Sequence, residues 1–244
     1  MKVTVTGMVL RSPVRHNDRT DILTVYTPTH GRLSVAIGAG GGKSGRQRRA
    51  ATMPLSIVEF QVLDRSSERL QRASSLAALS AYRSIYFHPL KQSIALLIAE
   101  FLNRLLRDST PDPVMYRYVT ESIRLLDDIS DDRMLANFHI AFLAGVATFA
   151  GVAPDVSNYS SVAVFDMEAG RYTTMLPAHR HILAGDDARL PLLLARMNFA
   201  NQHRFRFSRI QRRGILEGIL KYFGLHFPGT DNLNSPEVLC GLFD

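Results

Sequence analysis

Four cations within seven residues form the clearest candidate binding element of this chain. Lys43, Arg46, Arg48 and Arg49 follow the glycine-rich run Gly38-Ala39-Gly40-Gly41-Gly42. A basic segment of this kind can track a phosphate backbone and release its counterions without reading the base sequence. A solvated basic loop has the same composition. The residues therefore leave nucleic-acid binding and plain solvation both open.

The same segment contains Gly42-Lys43-Ser44, which suggests a nucleotide-binding phosphate loop. That motif requires a glycine where this chain has Ile37, and an apolar helix whose N-terminus holds the phosphate. Neither is present, because basic residues follow the loop and Pro54 would interrupt a helix. We do not expect nucleotide hydrolysis.

A second basic run lies between residues 196 and 221, where seven Lys or Arg residues accompany a single acid, Glu217. Phenylalanines alternate with these cations at positions 199, 205 and 207. The simpler interpretation is a charged helix face whose phenylalanines enter the core. The alternatives are an extension of the nucleic-acid surface and a dock for an acidic partner peptide.

The residues that could support catalysis or metal binding form weak patterns. His179, His181 and His203 are candidate ligands, but His-x-His has little specificity and no carboxylate lies at a diagnostic spacing. The one cysteine, Cys240, excludes a multi-cysteine zinc site within the chain. We therefore expect no metal and no cofactor.

Four acids at positions 127, 128, 131 and 132 raise the alternative of a two-metal nuclease. A solvated connection between helices explains them more simply, since nothing in the sequence brings them near the basic loop. A nucleophile-elbow motif is also absent from the sequence. We expect no enzymatic activity.

Charge and composition define the broad class. The 244 residues are 46% hydrophobic and 21% charged, which excludes a disordered chain. The net charge of +7 comes entirely from residues 1–80, where 12 basic residues face 5 acidic ones. The first residues have no apolar run typical of a signal peptide, and a single cysteine fits a reducing compartment, so we expect a cytoplasmic protein. The uncharged stretch Met134–Pro154 contains Asn137 and His139, which favours a buried core helix over a membrane span.

Periodicity predicts an α+β protein. Alternating apolar residues indicate five short strands in residues 1–80, the number found in a small closed OB-fold β-barrel, with a turn at Gly31. Residues 81–244 follow as a helical C-terminal domain. The first helix is expected to begin at Pro89, the second to end at about residue 129 and the third to end at Gly151. Three further helices are expected over 187–200, 208–223 and 235–243. A small β-hairpin is expected near 158–175, around Gly170.

Short motifs follow one another in a specific order at both ends of the chain. The N-terminal motifs are Gly7-Met8-Val9-Leu10, Ile22-Leu23-Thr24-Val25-Tyr26-Thr27 after Asp18, and Gly31-Arg32-Leu33 ahead of the basic loop. The closing segments are Tyr222-Phe223-Gly224-Leu225 and Asn234-Ser235-Pro236-Glu237-Val238-Leu239. In order and spacing these motifs resemble the two ends of the RecO family of bacterial recombination mediators, and the helical middle is similar to that family in architecture alone.

The resemblance implies a mediator of DNA repair and recombination. Such a protein binds single- and double-stranded DNA, anneals complementary strands and helps to load the recombinase RecA on gapped DNA. The implied partners are RecR and the acidic, hydrophobic C-terminal tail of single-strand-binding protein. Many members carry a four-cysteine zinc module, but Asn158–Thr174 contains no cysteine. The main alternative is an OB-type RNA-binding or protein-interaction module with no role in repair.

We expect the DNA contacts to be cationic side chains in the two basic regions. The predicted primary contacts are Arg32, Lys43, Arg46, Arg48 and Arg49, with Arg11 on a neighbouring strand and with Arg204, Arg206 and Arg209 as secondary contacts.

Overall fold

The N-terminal part of the chain folds into a closed barrel. The computed structural model describes residues 2–39, 51–63, 70–79 and 82–241. The strands hydrogen-bond in the order β1-β2-β3-β5-β4, and β4 pairs back onto β1 to close the barrel. Their bounds are β1 Lys2–Asn17, β2 Thr20–Thr27, β3 Gly31–Gly38, β4 Ile57–Leu63 and β5 Leu70–Ala78. The predicted five-stranded, OB-like barrel is confirmed.

Side-chain alternation explains why these residues form a barrel. Leu23 and Val25 on β2 and Val35 on β3 are fully buried in the barrel interior, together with Phe60 of β4. Residues between them point to the opposite face, as the pleat requires. The first strand is 16 residues long and pairs with β4 over residues 2–8 and with β2 over residues 8–17, where the register shifts occur. The period-2 pattern therefore defines both the strands and their inward face.

The turn between β2 and β3 requires a glycine. Gly31 has a φ of 65°, in the left-handed region that glycine adopts without steric cost. The Thr27 hydroxyl donates to the carbonyl of Gly31 at 3.1 Å and accepts the N–H of His30 at 3.0 Å. The predicted turn is confirmed.

Two helices follow the barrel and pack with it. Helix α1 is Pro89–Leu105 and helix α2 is Pro113–Asp128. The Tyr26 hydroxyl of β2 donates to the carbonyl of Asp112 at 3.1 Å, and its ring lies 5.4 Å from that of Tyr116. Burial is the main cause that raises the pKa of Tyr26 above its usual range. Tyr26 is fully buried, so this tyrosine packs the fold and cannot stack on a base.

The remaining residues form helices around a small sheet. The helices are α3 Asp132–Leu135, α4 Phe138–Phe149, α5 Leu190–Arg196, α6 Arg209–His226 and α7 Ser235–Gly241. The strands are β6 Val164–Asp166, β7 Arg171–Thr173 and β8 Ile182–Leu183, in the order β7-β6-β8. The predicted hairpin is confirmed as β6 and β7, while β8 adds a third strand that the sequence did not indicate.

The apolar stretch around residues 134–154 is a core helix, as expected. Helix α4 has 12 residues, and His139 within it is buried. Among the described residues, no helix combines the length and the apolar character needed to cross a membrane.

Two predicted helices are shorter than their patterns indicated. The helix expected to end at Gly151 is interrupted at Asn137, whose side-chain amide donates to the carbonyls of Gln202 at 2.9 Å and Phe205 at 2.7 Å. The helix expected over 187–200 divides into a 3-10 turn, Gly185–Arg189, and helix α5. Helix α5 ends at Arg196 because the backbone of Met197 is extended.

The chain forms two compact units, Met1–Asp128 and Ile129–Asp244. The change from strands to helices expected near residue 80 falls inside the first unit, because α1 and α2 belong to the same unit as the barrel. The division into domains 1–80 and 81–244 stays a prediction.

Candidate nucleic-acid interface

One end of the barrel carries the start of the glycine-rich basic segment. Thr20 of β2 pairs with Gly38, the last residue of β3, and the next N–H, that of Ala39, donates to the carbonyl of Arg19 at 2.8 Å. The chain therefore leaves the barrel beside the β1–β2 turn. Four of the predicted contacts, Lys43, Arg46, Arg48 and Arg49, lie in the following residues, 40–50, which are outside the described part of the chain.

Exposed arginines surround this point of departure. Arg15 and Arg19 flank the β1–β2 turn, and Arg72 of β5 lies opposite Ala36, two residues before β3 ends. We call Arg15, Arg19 and Arg72 the basic rim. Arg15 also pairs with Asp21 at 2.9 Å, which offsets part of its charge. Arg72 was missed from the sequence because β5 has the weakest alternation of the five strands.

The two barrel residues singled out from the sequence differ in their surroundings. Arg11 is an exposed residue of β1 and lies opposite Thr24. Arg32, on β3, is half-buried, and its Nε donates to the side-chain oxygen of Asn103 in α1 at 3.1 Å. Arg11 therefore presents a cation to solvent, whereas Arg32 also links the barrel to a helix.

The second basic run contains two kinds of arginine. Arg204, Arg206 and Arg209 are exposed around the start of α6, where Ser208 forms a capping box with Gln211. The next two arginines have partners within the fold. Arg212 donates to the carbonyl of Phe207 at 2.6 Å and its pKa is lowered by burial, while Arg213 pairs with Glu217 at 2.8 Å.

The phenylalanines of this run pack within the second unit. Phe199 stacks on Phe138 with ring centroids 4.8 Å apart, while Phe205 and Phe207 are half-buried with rings 6.1 Å apart. This packing agrees with the simpler interpretation of the run, a charged face above a phenylalanine core.

Two of the clustered acids have structural roles, which corrects their interpretation as a merely solvated connection. Asp131 caps α3 by accepting the N–H of Arg133. Asp127 accepts the backbone N–H groups of Arg83, Ser84 and Ile85 at 2.8–2.9 Å. Burial acts to raise the pKa of Asp127, but these hydrogen bonds outweigh it and hold the pKa below its usual value.

The residues of the hairpin do not fit the four-cysteine zinc module that the family resemblance implies. The hairpin is instead filled by aromatic side chains, with Phe165 in edge-to-face contact with Tyr172 at 5.1 Å and near Tyr222 at 6.1 Å. Gly170, at a φ of 66°, leaves room for the Tyr222 hydroxyl against the turn. Aromatic packing thus forms the core of this region.

An apolar cavity of about 230 Å³ lies in the second unit. Helices α4, α5 and α6 and the small sheet line it, with Ala144, Pro191, Ala195, Gly218 and Ile219 among the lining residues. No charged side chain is among its lining residues, but exposed cations adjoin them in sequence, Arg196 next to Ala195 and Lys221 next to Tyr222.

A closed OB-like barrel followed by a largely helical region defines an α+β protein of the OB-barrel class. The model of the N-terminal region of recombination protein O matches residues 1–82, and the model of its C-terminal region matches residues 87–232. The chain belongs to the RecO family of DNA repair proteins.

Relatives of similar length extend this match over nearly the whole chain. The DNA repair protein RecO of Phocaeicola vulgatus is 32% identical over 237 residues, covering 97% of each chain. The Bacteroides fragilis protein of the same name is 33% identical over 239 residues and 98% of each chain. That of Porphyromonas gingivalis is 31% identical over 246 residues, covering 99% of this chain and all of its own.

Proposed function

We propose that this protein is a non-enzymatic recombination mediator that binds single- and double-stranded DNA and anneals complementary strands. In this role it helps to load a recombinase on gapped DNA coated by single-strand-binding protein, in the cytoplasm. The observation that carries the proposal is the start of the glycine-rich segment, where the N–H of Ala39 donates to the carbonyl of Arg19 on the basic rim of an OB-like barrel.

The proposed mechanism is electrostatic. Two complementary strands repel each other through their phosphates, and a cationic surface lowers this repulsion while releasing condensed counterions. The rim arginines would contact phosphates of the backbone, and the cations at positions 43, 46, 48 and 49 are the proposed further contacts. Because Tyr26 is buried, base stacking on it contributes nothing. The proposed cationic contacts address phosphates and would tolerate any sequence.

The proposed protein partners are RecR and the acidic, hydrophobic C-terminal tail of single-strand-binding protein. The apolar cavity of the second unit supports the tail as its occupant, since its lining is apolar and the exposed cations Arg196 and Lys221 are next in sequence to the lining residues Ala195 and Tyr222. Apolar side chains of the tail would enter the cavity, and its carboxylates would face the two cations.

A salt titration of single-stranded DNA binding tests the central proposal. The test variant replaces Lys43, Arg46, Arg48 and Arg49 with Gln, and a matched control replaces the exposed Arg104, Arg107, Arg117 and Arg124 of the α1–α2 region with Gln. We expect the slope of log affinity against log salt to fall by up to about 3 in the test variant, because each neutralised phosphate contact contributes about 0.7. Strand annealing should slow in parallel, and the control should resemble the wild type.

Two outcomes would overturn this proposal. An unchanged slope in the test variant would remove the segment from the interface. Tighter binding of RNA than of DNA of the same sequence, with no annealing, would favour the RNA-binding alternative.

Binding of the single-strand-binding protein tail in the cavity is tested with a fluorescent acidic peptide that ends in apolar residues. Ala195→Glu places a like charge at the mouth of the cavity, and Ala200→Glu places the same charge at an exposed alanine outside the lining. We expect at least tenfold weaker peptide binding by the first variant and wild-type binding by the second. Equal binding by the two variants would exclude this cavity.

A further inference from the structure

The small sheet brings together residues that are distant in the chain. Asp166, the last residue of β6, pairs with Ile182 of β8, and the N–H of Met167 donates to the carbonyl of His181 at 2.9 Å. The end of β6 and the turn after it therefore lie beside residues 179–181. This register places Asp166 and Glu168 next to His179 and His181.

The four side chains contact one another closely. Glu168 Oε1 lies 2.8 Å from His181 Nδ1 and 3.6 Å from His179 Nδ1. The other ring nitrogen of His179, Nε2, lies 3.2 Å from Asp166 Oδ1. Ligand atoms of Glu168, His179 and His181 all lie within 4.8 Å of one another. Two imidazoles thus converge on one carboxylate oxygen.

The hydrogen bonds indicate which ring nitrogen of His179 is the acceptor. The N–H of His181 donates to His179 Nδ1 at 3.2 Å, so Nδ1 carries a lone pair and the ring proton is on Nε2, facing Asp166. The lone pair of Nδ1 also lies 3.6 Å from the carboxylate oxygen of Glu168. Two electron-rich atoms at this separation repel each other unless a cation lies between them.

We propose that Glu168, His179 and His181 bind a zinc ion, with Asp166 as a positioning residue. Two imidazoles and one carboxylate are a usual zinc ligand set, and bonds of about 2.0–2.1 Å in a tetrahedron separate neighbouring ligands by about 3.3 Å. The separations of 2.8 and 3.6 Å around Glu168 Oε1 bracket this value. The zinc bond to His179 Nδ1 would replace the hydrogen bond from His181.

Asp166 completes the arrangement that metal-binding histidines usually have. A ligating imidazole commonly donates its second N–H to a carboxylate, which fixes the ring and strengthens the ligand. Asp166 also accepts the N–H groups of Glu168 and Ala169 at 2.9 Å, and so fixes the turn that carries Glu168. The ion would tie residues 179–181 to the hairpin. This ligand set contains no thiolate and differs from the four-cysteine module of the family.

The test is zinc titration of the full chain, purified without a polyhistidine tag and stripped with a chelator. Calorimetry should give one zinc per wild-type chain. His179→Gln and His181→Gln should each bind at least tenfold more weakly. Asp166→Asn keeps the Oδ1 that caps the turn and faces His179, and should weaken binding less, because it removes only the negative charge. His203→Gln is the matched control, because His203 is exposed and outside the cluster.

The proposal is overturned if the wild-type chain takes up no stoichiometric zinc, or if both His179→Gln and His181→Gln bind as tightly as the control. If these variants fail to fold, the visible spectrum of the wild-type chain loaded with Co²⁺ tests the site instead. Visible bands of tetrahedral Co²⁺ without a sulfur charge-transfer band support the site. The spectrum of hydrated Co²⁺ contradicts it.

Discussion

Arg32 Nε donates to Asn103 Oδ1 at 3.1 Å, so a predicted DNA contact is also a link between β3 and α1. Loss of DNA binding on removal of Arg32 could therefore have two causes. The charge would no longer attract phosphate, or the barrel would lose its connection to the helix. The partner residue separates these causes, because Asn103 carries no charge.

We expect Arg32→Ala to weaken DNA binding and to lower its salt dependence, whereas Asn103→Ala leaves both unchanged. Each variant should lose about 1 kcal/mol of unfolding free energy, since each removes the same hydrogen bond. Filter binding at several salt concentrations and urea unfolding measure the two effects. Equal losses of DNA affinity in the two variants would assign Arg32 a structural role alone.

The exposed arginines of the second basic run provide a second prediction. Replacing Arg204, Arg206 and Arg209 with Gln should weaken DNA binding less than the loop variant does, because these residues are separate from the barrel rim in the sequence and belong to the second compact unit. The control Arg213→Gln should leave DNA binding unchanged, because the Arg213 guanidinium already pairs with Glu217. Fluorescence anisotropy with a labelled oligonucleotide measures both variants. A loss in the triple variant as large as that of the loop variant would make these residues primary contacts.

The strands of the barrel were predictable because each one is indicated by the polarity of residues that are neighbours in the sequence. Val25 and Leu33 belong to strands whose neighbours alternate in polarity, and such a pattern determines both the strand and its buried face. Gly31 marked the turn for a comparable reason, since a positive φ favours glycine over other residues.

His179 and His181 were candidate ligands from the sequence, but the carboxylate that they meet could not be predicted from spacing. Glu168 and His181 are 13 residues apart and meet through strand pairing between β6 and β8. The two residues of β8 are too few to show a period. Asp127 presents the same difficulty, because the N–H groups that it accepts lie 42–44 residues earlier in the chain. Contacts of this kind depend on the tertiary fold.

Asp127 should contribute measurably to stability. Asp127→Ala leaves three backbone N–H groups without their acceptor, and we expect a loss of about 2 kcal/mol in the free energy of unfolding. Asp128→Ala removes the same charge from an exposed neighbour and should be nearly neutral. Because the folded-state pKa of Asp127 is lowered, its contribution is present above the ordinary carboxyl pKa and is lost as the pH falls below about 4. Urea unfolding at neutral and acidic pH measures both effects, and equal losses in the two variants would contradict the prediction.

His139 should make the stability of the protein depend on pH over a different range. Burial, together with the nearby charge of Arg212, lowers the pKa of His139 to about 3, whereas an unfolded histidine titrates near about 6.5. Between these values the unfolded chain binds a proton that the folded chain does not bind. The free energy of unfolding therefore falls as the pH is lowered, by up to about 1.4 kcal/mol per pH unit from this group.

His139→Gln removes the titrating group and should lower the slope of unfolding free energy against pH by the contribution of one proton. His203→Gln, at an exposed site, should leave this slope unchanged. Urea unfolding at constant ionic strength, followed by circular dichroism at several pH values between 4 and 7, gives the slope for each chain. A wild-type slope in His139→Gln would mean that another group controls the acid sensitivity. A flattened slope in that variant alone would identify the buried imidazole as its source.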